Sequence, residues 1–125
     1  MYVVRQPQPS PALIPGLDHA TWAGCAEGLA QISLWRQTLA PDASTPPHRH
    51  DCDEVVLCQG GAGELHVDGE VHRFAANSTL VLPRGRLHRI VSVGPEPLEI
   101  LGIFGATPVG TLLPDGAALA VPWRT

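Results

Sequence analysis

No stretch of this chain holds an amphipathic helical period for three turns. Glycine and proline, 13 of each in 125 residues, instead cut it into short β-type runs. Many short strands bounded by turn residues predict a sandwich or barrel. The strand candidates are Gln31–Leu39, Glu54–Cys58, Gly63–Val67, Glu70–Phe74, Thr79–Leu82, His88–Val93 and Leu98–Phe104, with weaker ones at Thr107–Leu113 and Ala118–Pro122. Asp68-Gly69 lies between two of them and signals a two-residue hairpin, because both turn positions need positive φ. Residues 19–30 are Ala-rich but interrupted by two glycines, so irregular or strand structure is expected there. The run Gln6-Pro7-Gln8-Pro9-Ser10-Pro11 has too many prolines for a central strand. Residues 1–16 are read as an extended arm and residues 17–125 as one barrel domain.

Composition narrows the chemistry. All eight basic residues are Arg, so no lysine is available as a Schiff base or general base. Tyr2 is the single tyrosine, and a tyrosine acid inside the barrel would have to be that residue. The formal net charge of −4 predicts no nucleic-acid partner. No apolar run approaches the ~20 residues needed to span a bilayer, and residues 1–15 lack the pattern of a signal peptide, so no membrane partner and a cytoplasmic location are expected. Cys25, Cys52 and Cys58 are odd in number with no CxxC spacing, and reduced thiols are expected.

His48-Arg49-His50 is the sharpest chemical feature. In an extended chain these two imidazoles share a face and can chelate a metal ion. Glu54 follows four residues after His50. In a straight strand it would lie ~20 Å from His48, so the chain must turn at Asp51-Cys52-Asp53. Pro83-Arg84-Gly85 makes a second turn, and His88 opens the next strand. Together these residues predict a three-His, one-carboxylate site formed by His48, His50, Glu54 and His88. Such a set suits one divalent Fe, Mn, Ni, Cu, Co or Zn ion better than Ca or Mg. Cys52 lies between ligands, but the set is complete without it.

With these residues in view the sequence resembles the cupin superfamily. The first cupin motif appears as His48-Arg49-His50, then Glu54, then Gly60 or Gly61; the second appears as Asn77, Pro83-Arg84-Gly85, His88 and Ser92. Asp42 stands where a leading Gly is frequent, Asn77 replaces another Gly, and Ser92 replaces an Asn. Asp and Asn tolerate the left-handed backbone, so both turns can survive. The resemblance implies an all-β, double-stranded β-helix or jelly-roll barrel in a single domain, with metal binding. It also implies a homodimer formed through N-terminal strands, here Tyr2–Arg5 or Ile32–Leu39.

Two functions are carried forward. The first is a small metal-dependent enzyme of dioxygenase, lyase or isomerase type acting on a small organic molecule, with Glu54 doubling as general base. The second is a non-catalytic small-molecule binding or sensing barrel. Trp35, Arg36, Gln37 and Phe104 are the candidates for a substrate pocket, Arg36 as a bidentate anchor for a carboxylate. His66 and His72 are read as exposed hairpin residues, and His19 has no visible partner.

Overall fold

The computed structural model describes residues 2–125. Eleven strands follow in order: β1 (Ser10–Ile14), β2 (Leu17–Ala23), β3 (Ser33–Leu39), β4 (Arg49–His50), β5 (Glu54–Gly60), β6 (Ala62–Val67), β7 (Glu70–Ala75), β8 (Thr79–Leu82), β9 (His88–Ser92), β10 (Leu98–Phe104) and β11 (Thr111–Leu112). A 3₁₀ turn at Cys25–Glu27 is the helical element among the described residues. Six strands form one antiparallel sheet in the order β1-β2-β3-β10-β5-β8. Opposite it lie β7-β6-β9 and the pair β11-β4, joined by the bridge between His48 and His88. The two faces form a jelly-roll barrel enclosing two buried clusters, one around Leu39, Val56 and Leu98 and one around Trp35, Cys52 and Phe104.

Alternation builds that interior. On β5, Glu54, Val56 and Cys58 point inward; on β9, His88, Ile90 and Ser92; on β10, Leu98, Ile100, Gly102 and Phe104. Leu39 and Leu98 are fully buried, and each such side chain contributes about 1.5–3 kcal/mol by leaving water. The register matters for the chemistry as much as for packing. Glu54 pairs with Phe104 on β10 and with Leu82 on β8. A slip of one residue would turn the carboxylate out to solvent and bring Val55 in.

The turns use the residues the sequence singled out. Asp68 and Gly69 have φ of 53° and 74°, the positive values that a two-residue hairpin requires. Asp42 and Asn77, each standing where glycine is common, take φ of 69° and 71°. The chain bends through 51–53, so Glu54 folds back beside the histidines.

Several elements differ from expectation. Ser10–Ile14, inside the stretch read as an arm, pairs with β2 as the edge strand of the large sheet, where a proline costs few ladder bonds. The Trp22 indole N–H donates to the Pro7 carbonyl at 2.9 Å and pins the residues before it. The segment expected to be strand at 107–113 pairs only at Thr111–Leu112, and residues 118–122 make a single bridge, Leu112 to Ala118. Finally, β3 is hydrogen-bonded on one side to β2 and on the other to β10. Both edges of β3 are therefore occupied within the chain.

Candidate metal centre and cavity

Three loops converge inside one end of the barrel. His50 ends β4, Glu54 begins β5 after the bend, and His88 begins β9 after the Pro83–Gly85 turn. His48 sits against His88 in a two-way backbone exchange, N–H of each donating to the carbonyl of the other at 3.0 and 2.9 Å. That bridge brings residues from two distant hairpins into contact. His50, Glu54 and His88 are buried, and the side-chain nitrogens of His48, His50 and His88 lie within 4.8 Å of one another.

The hydrogen bonds of the rings decide which nitrogen faces the centre. Nδ1 of His48 faces the Pro46 carbonyl at 2.6 Å, Nδ1 of His50 the Gly110 carbonyl at 3.2 Å, and Nδ1 of His88 the Arg86 carbonyl at 2.9 Å. A carbonyl only accepts, so each Nδ1 carries the hydrogen and each neutral ring offers its Nε2 lone pair inward. Backbone carbonyls holding the far nitrogen are the usual support for metal-binding histidines.

Glu54 completes the group. Its Oε1 lies 3.6 Å from Nε2 of His50 and 3.4 Å from Nε2 of His88. The closer contact lacks hydrogen-bond alignment, and both Glu54 Oε1 and His88 Nε2 are buried without a hydrogen-bond partner. Buried polar atoms are nearly always satisfied. Two that point past each other at a shared space fit coordination of a cation between them. The donor set and these orphaned atoms therefore suit a divalent transition metal held by His48, His50, Glu54 and His88.

Electrostatics agree with neutral imidazoles at His48 and His50 beside one carboxylate. Burial, then the neighbouring His88 and His50, push His48 down to about 4. Burial likewise lowers His50. For Glu54 burial works to raise the pKa, but the surrounding histidines outweigh it and the carboxyl falls below its usual range. His88 is the converse case: burial works to lower it, and the adjacent Glu54 carboxylate overrides that and raises it. Cys52 stands apart, packed with Trp35, Phe104 and Val109. Burial pushes its thiol up to about 11, so it is neutral and offers no thiolate.

Above the four residues lies a cavity of about 50 Å³. Trp35, Gln37 and Phe104 line it. Arg36 does not. On a strand it must face opposite to Trp35, and its guanidinium bonds Gln59 Oε1 at 2.6 Å and lies 3.4 Å from Glu99 on the outer surface. His66 and His72 pair with Glu64 and Glu70 beside the hairpin, away from the centre.

Two contributors lie outside the set Trp35, Arg36, Gln37 and Phe104. Gly102 faces inward between Phe104 and Glu54, and a Cβ there would meet the Phe104 ring at 2.9 Å, so its missing side chain leaves room for both. Leu119, Val121 and Trp123 come from the last residues of the chain, which lie across the cavity. Trp123 stacks on His19 at 4.0 Å and meets Trp35 edge to face at 5.5 Å. A lone tryptophan near the end of a chain gives no periodic signal of such a placement.

Fold and site define a small jelly-roll barrel with a buried three-histidine, one-carboxylate cluster beneath an apolar cavity. A model of the family described as the cupin domain matches residues 35–104, and the chain belongs to the cupin family. It is similar to auxin-binding protein 1 of Arabidopsis thaliana, 36% identical over 106 residues, which are 76% of this chain and 53% of that one. It is also similar to auxin-binding protein T92 of Nicotiana tabacum, 32% identical over 112 residues, 80% of this chain and 60% of that one. The chain thus spans little more than half the length of these curated relatives. Among solved structures, a sugar phosphate isomerase of the cupin superfamily from Silicibacter pomeroyi superposes with a TM-score of 0.70 at 26% identity, covering 82% of this chain and 68% of that one.

Proposed function

We propose that the barrel is a metal-dependent binding site for a small carboxylic acid with an apolar body, the non-catalytic alternative of the two functions expected. One observation carries this reading. Apart from His48, His50, Glu54 and His88, no titratable side chain among the described residues lines the cavity. Its remaining polar side-chain groups include Gln37, Thr45, Thr111 and the buried, unpartnered indole N–H of Trp123, and the rest of its wall is Trp35, Phe104 and aliphatic residues. Proton-transfer chemistry needs an acid or base within reach of the substrate. A site whose titratable groups are all turned to one ion leaves only Glu54 for that work. The absence of Arg from the lining also weighs against phosphorylated substrates.

A bound divalent ion would supply a Lewis-acidic centre able to accept a carboxylate oxygen. The chain's own residues do the rest. His48, His50, Glu54 and His88 would hold the ion, Gln37 would supply a polar contact, and the aromatic walls would exclude water from the body of the ligand. A cavity of about 50 Å³ admits a head group of a few atoms. The likeness to proteins named for auxin binding supports the binding reading.

The test is calorimetric titration of zinc- and manganese-loaded protein with acetate, isovalerate and phenylacetate, and with the corresponding amides. Acids should bind only when metal is present, with amides at least tenfold weaker, and His50→Ala should lose both metal and acid. Equal binding by the chelated protein would refute the reading. Oxygen uptake by the Fe(II)-loaded protein on addition of an acid would turn the assignment to the dioxygenase-type enzyme, with Glu54 as its general base.

A further inference from the structure

Behind the cavity, away from the metal ligands, a second buried histidine takes part in a hydrogen-bond chain with one direction. His19 lies on β2 opposite Gln37 on β3 and is 6% exposed. The chain begins at the Arg124 carbonyl, which can only accept. The Thr21 hydroxyl donates to it at 2.7 Å. A hydroxyl has one hydrogen, so toward His19 Nε2, also 2.7 Å away, Thr21 Oγ1 can only accept. His19 Nε2 therefore carries the ring hydrogen. Burial, with Arg124 adding to it, pushes His19 down to about 4, so the ring is neutral at neutral pH and its Nδ1 is a bare acceptor. Gln37 meets that Nδ1 at 3.0 Å and must do so with its amide nitrogen.

We propose that His19 is a positioning residue: it holds the Gln37 amide nitrogen turned away from the cavity, so that the Gln37 carbonyl oxygen is the acceptor shown to a bound molecule. Among the described residues that oxygen has no hydrogen-bond partner, and it is not among the buried unpartnered atoms, so it remains accessible. Glutamine alone would present either end of its amide. The Thr21–His19 pair removes the choice. Trp123 stacks on the same ring at 4.0 Å, and Arg124 supplies the terminal acceptor, so the orientation is set only while residues 123–124 are seated. Resting on the proposed binding site, the consequence is a selectivity. A ligand bearing a hydroxyl next to its carboxylate satisfies Gln37 Oε1; one lacking it covers that acceptor without pairing it, a difference of about tenfold in affinity.

The orientation is read without any ligand. In protein carrying ¹⁵N-labelled histidine and glutamine, long-range ¹H–¹⁵N correlation should show His19 protonated at Nε2 alone. A coupling across the hydrogen bond should link Gln37 Nε2 to His19 Nδ1. An Nδ1-protonated ring would overturn the proposal outright. The selectivity is then read as the affinity ratio of 2-hydroxyisovalerate to isovalerate on zinc-loaded protein. Chelation of the ion by the hydroxy acid is common to all variants, so it cancels between them. His19→Gln keeps a donor for Thr21 but loses the acceptor at the Nδ1 position, and the ratio should fall about tenfold. His19→Asn puts an amide oxygen near the Nδ1 position and should restore it. An unchanged ratio in His19→Gln would overturn the proposal. If neither acid binds the loaded wild type, the binding reading fails, and the ring's protonation state still decides the role of His19.

Discussion

The buried, neutral His19 makes the stability of this barrel depend on pH in a way that can be worked out in advance. Its pKa falls from 6.5 in the unfolded chain to about 4 in the fold. Between those values the unfolded state holds a proton that the folded state does not. Stability is therefore intact above pH 6.5 and declines as pH falls toward 4. At pH 7.5 the linkage is negligible; at pH 5 it amounts to about 2 kcal/mol lost. The measurement is urea unfolding of wild type and His19→Gln at both pH values, with chelator present so that proton-driven metal release does not contribute. Other titrating groups are shared, so the difference in pH response isolates His19 even if the substitution shifts stability overall. With a urea slope of about 2 kcal/mol per molar, the wild-type midpoint should fall by roughly 1 M more than that of the variant. Equal shifts in the two proteins would refute the claim that burial holds this ring neutral.

Two further outcomes follow from the geometry. Gly63→Ala places a Cβ 2.6 Å from the Phe74 ring and 2.8 Å from the Val91 carbonyl; the carbonyl belongs to the β6–β9 ladder and cannot retreat, so chemical denaturation should show a loss of about 1–3 kcal/mol. Metal in 1,000-fold excess over its dissociation constant should stabilise the wild type by about 4 kcal/mol, a rise in melting temperature of roughly 10–20 °C by calorimetry, and should leave His88→Ala unmoved.

Much of this molecule was legible in its sequence because strand alternation and turn chemistry are local. HxH, the bend before Glu54 and the Pro-x-Gly turn before His88 each act within a few residues. The same local rules placed Asp68-Gly69 at positive φ, while Asp42 and Asn77 were marked by the family resemblance as standing where glycine is frequent. Arg36 was offered to the pocket beside its neighbours Trp35 and Gln37, yet alternation alone sends it to the other face. What could not be read was long-range. His19 acquires its partners from Gln37, Trp123 and Arg124, up to about a hundred positions away, and no pattern within β2 signals them. The pairing of β1 with β2 was obscured by Pro11 and by Pro7 and Pro9 before it; an edge strand accommodates a proline and a central one does not.

The bridge between His48 and His88 joins positions 40 residues apart. An ion gripped on both sides of it would act as a cross-link closing that length of chain, and a permanent link of this span would cost the unfolded ensemble about 4 kcal/mol of conformational freedom. His48 and His50, being two residues apart, can hold an ion in the unfolded chain as well, and that share of the affinity does nothing for folding. What couples metal to fold is the part contributed by Glu54 and His88. Substituting either one separates a protein that binds an ion from a protein that is held together by it.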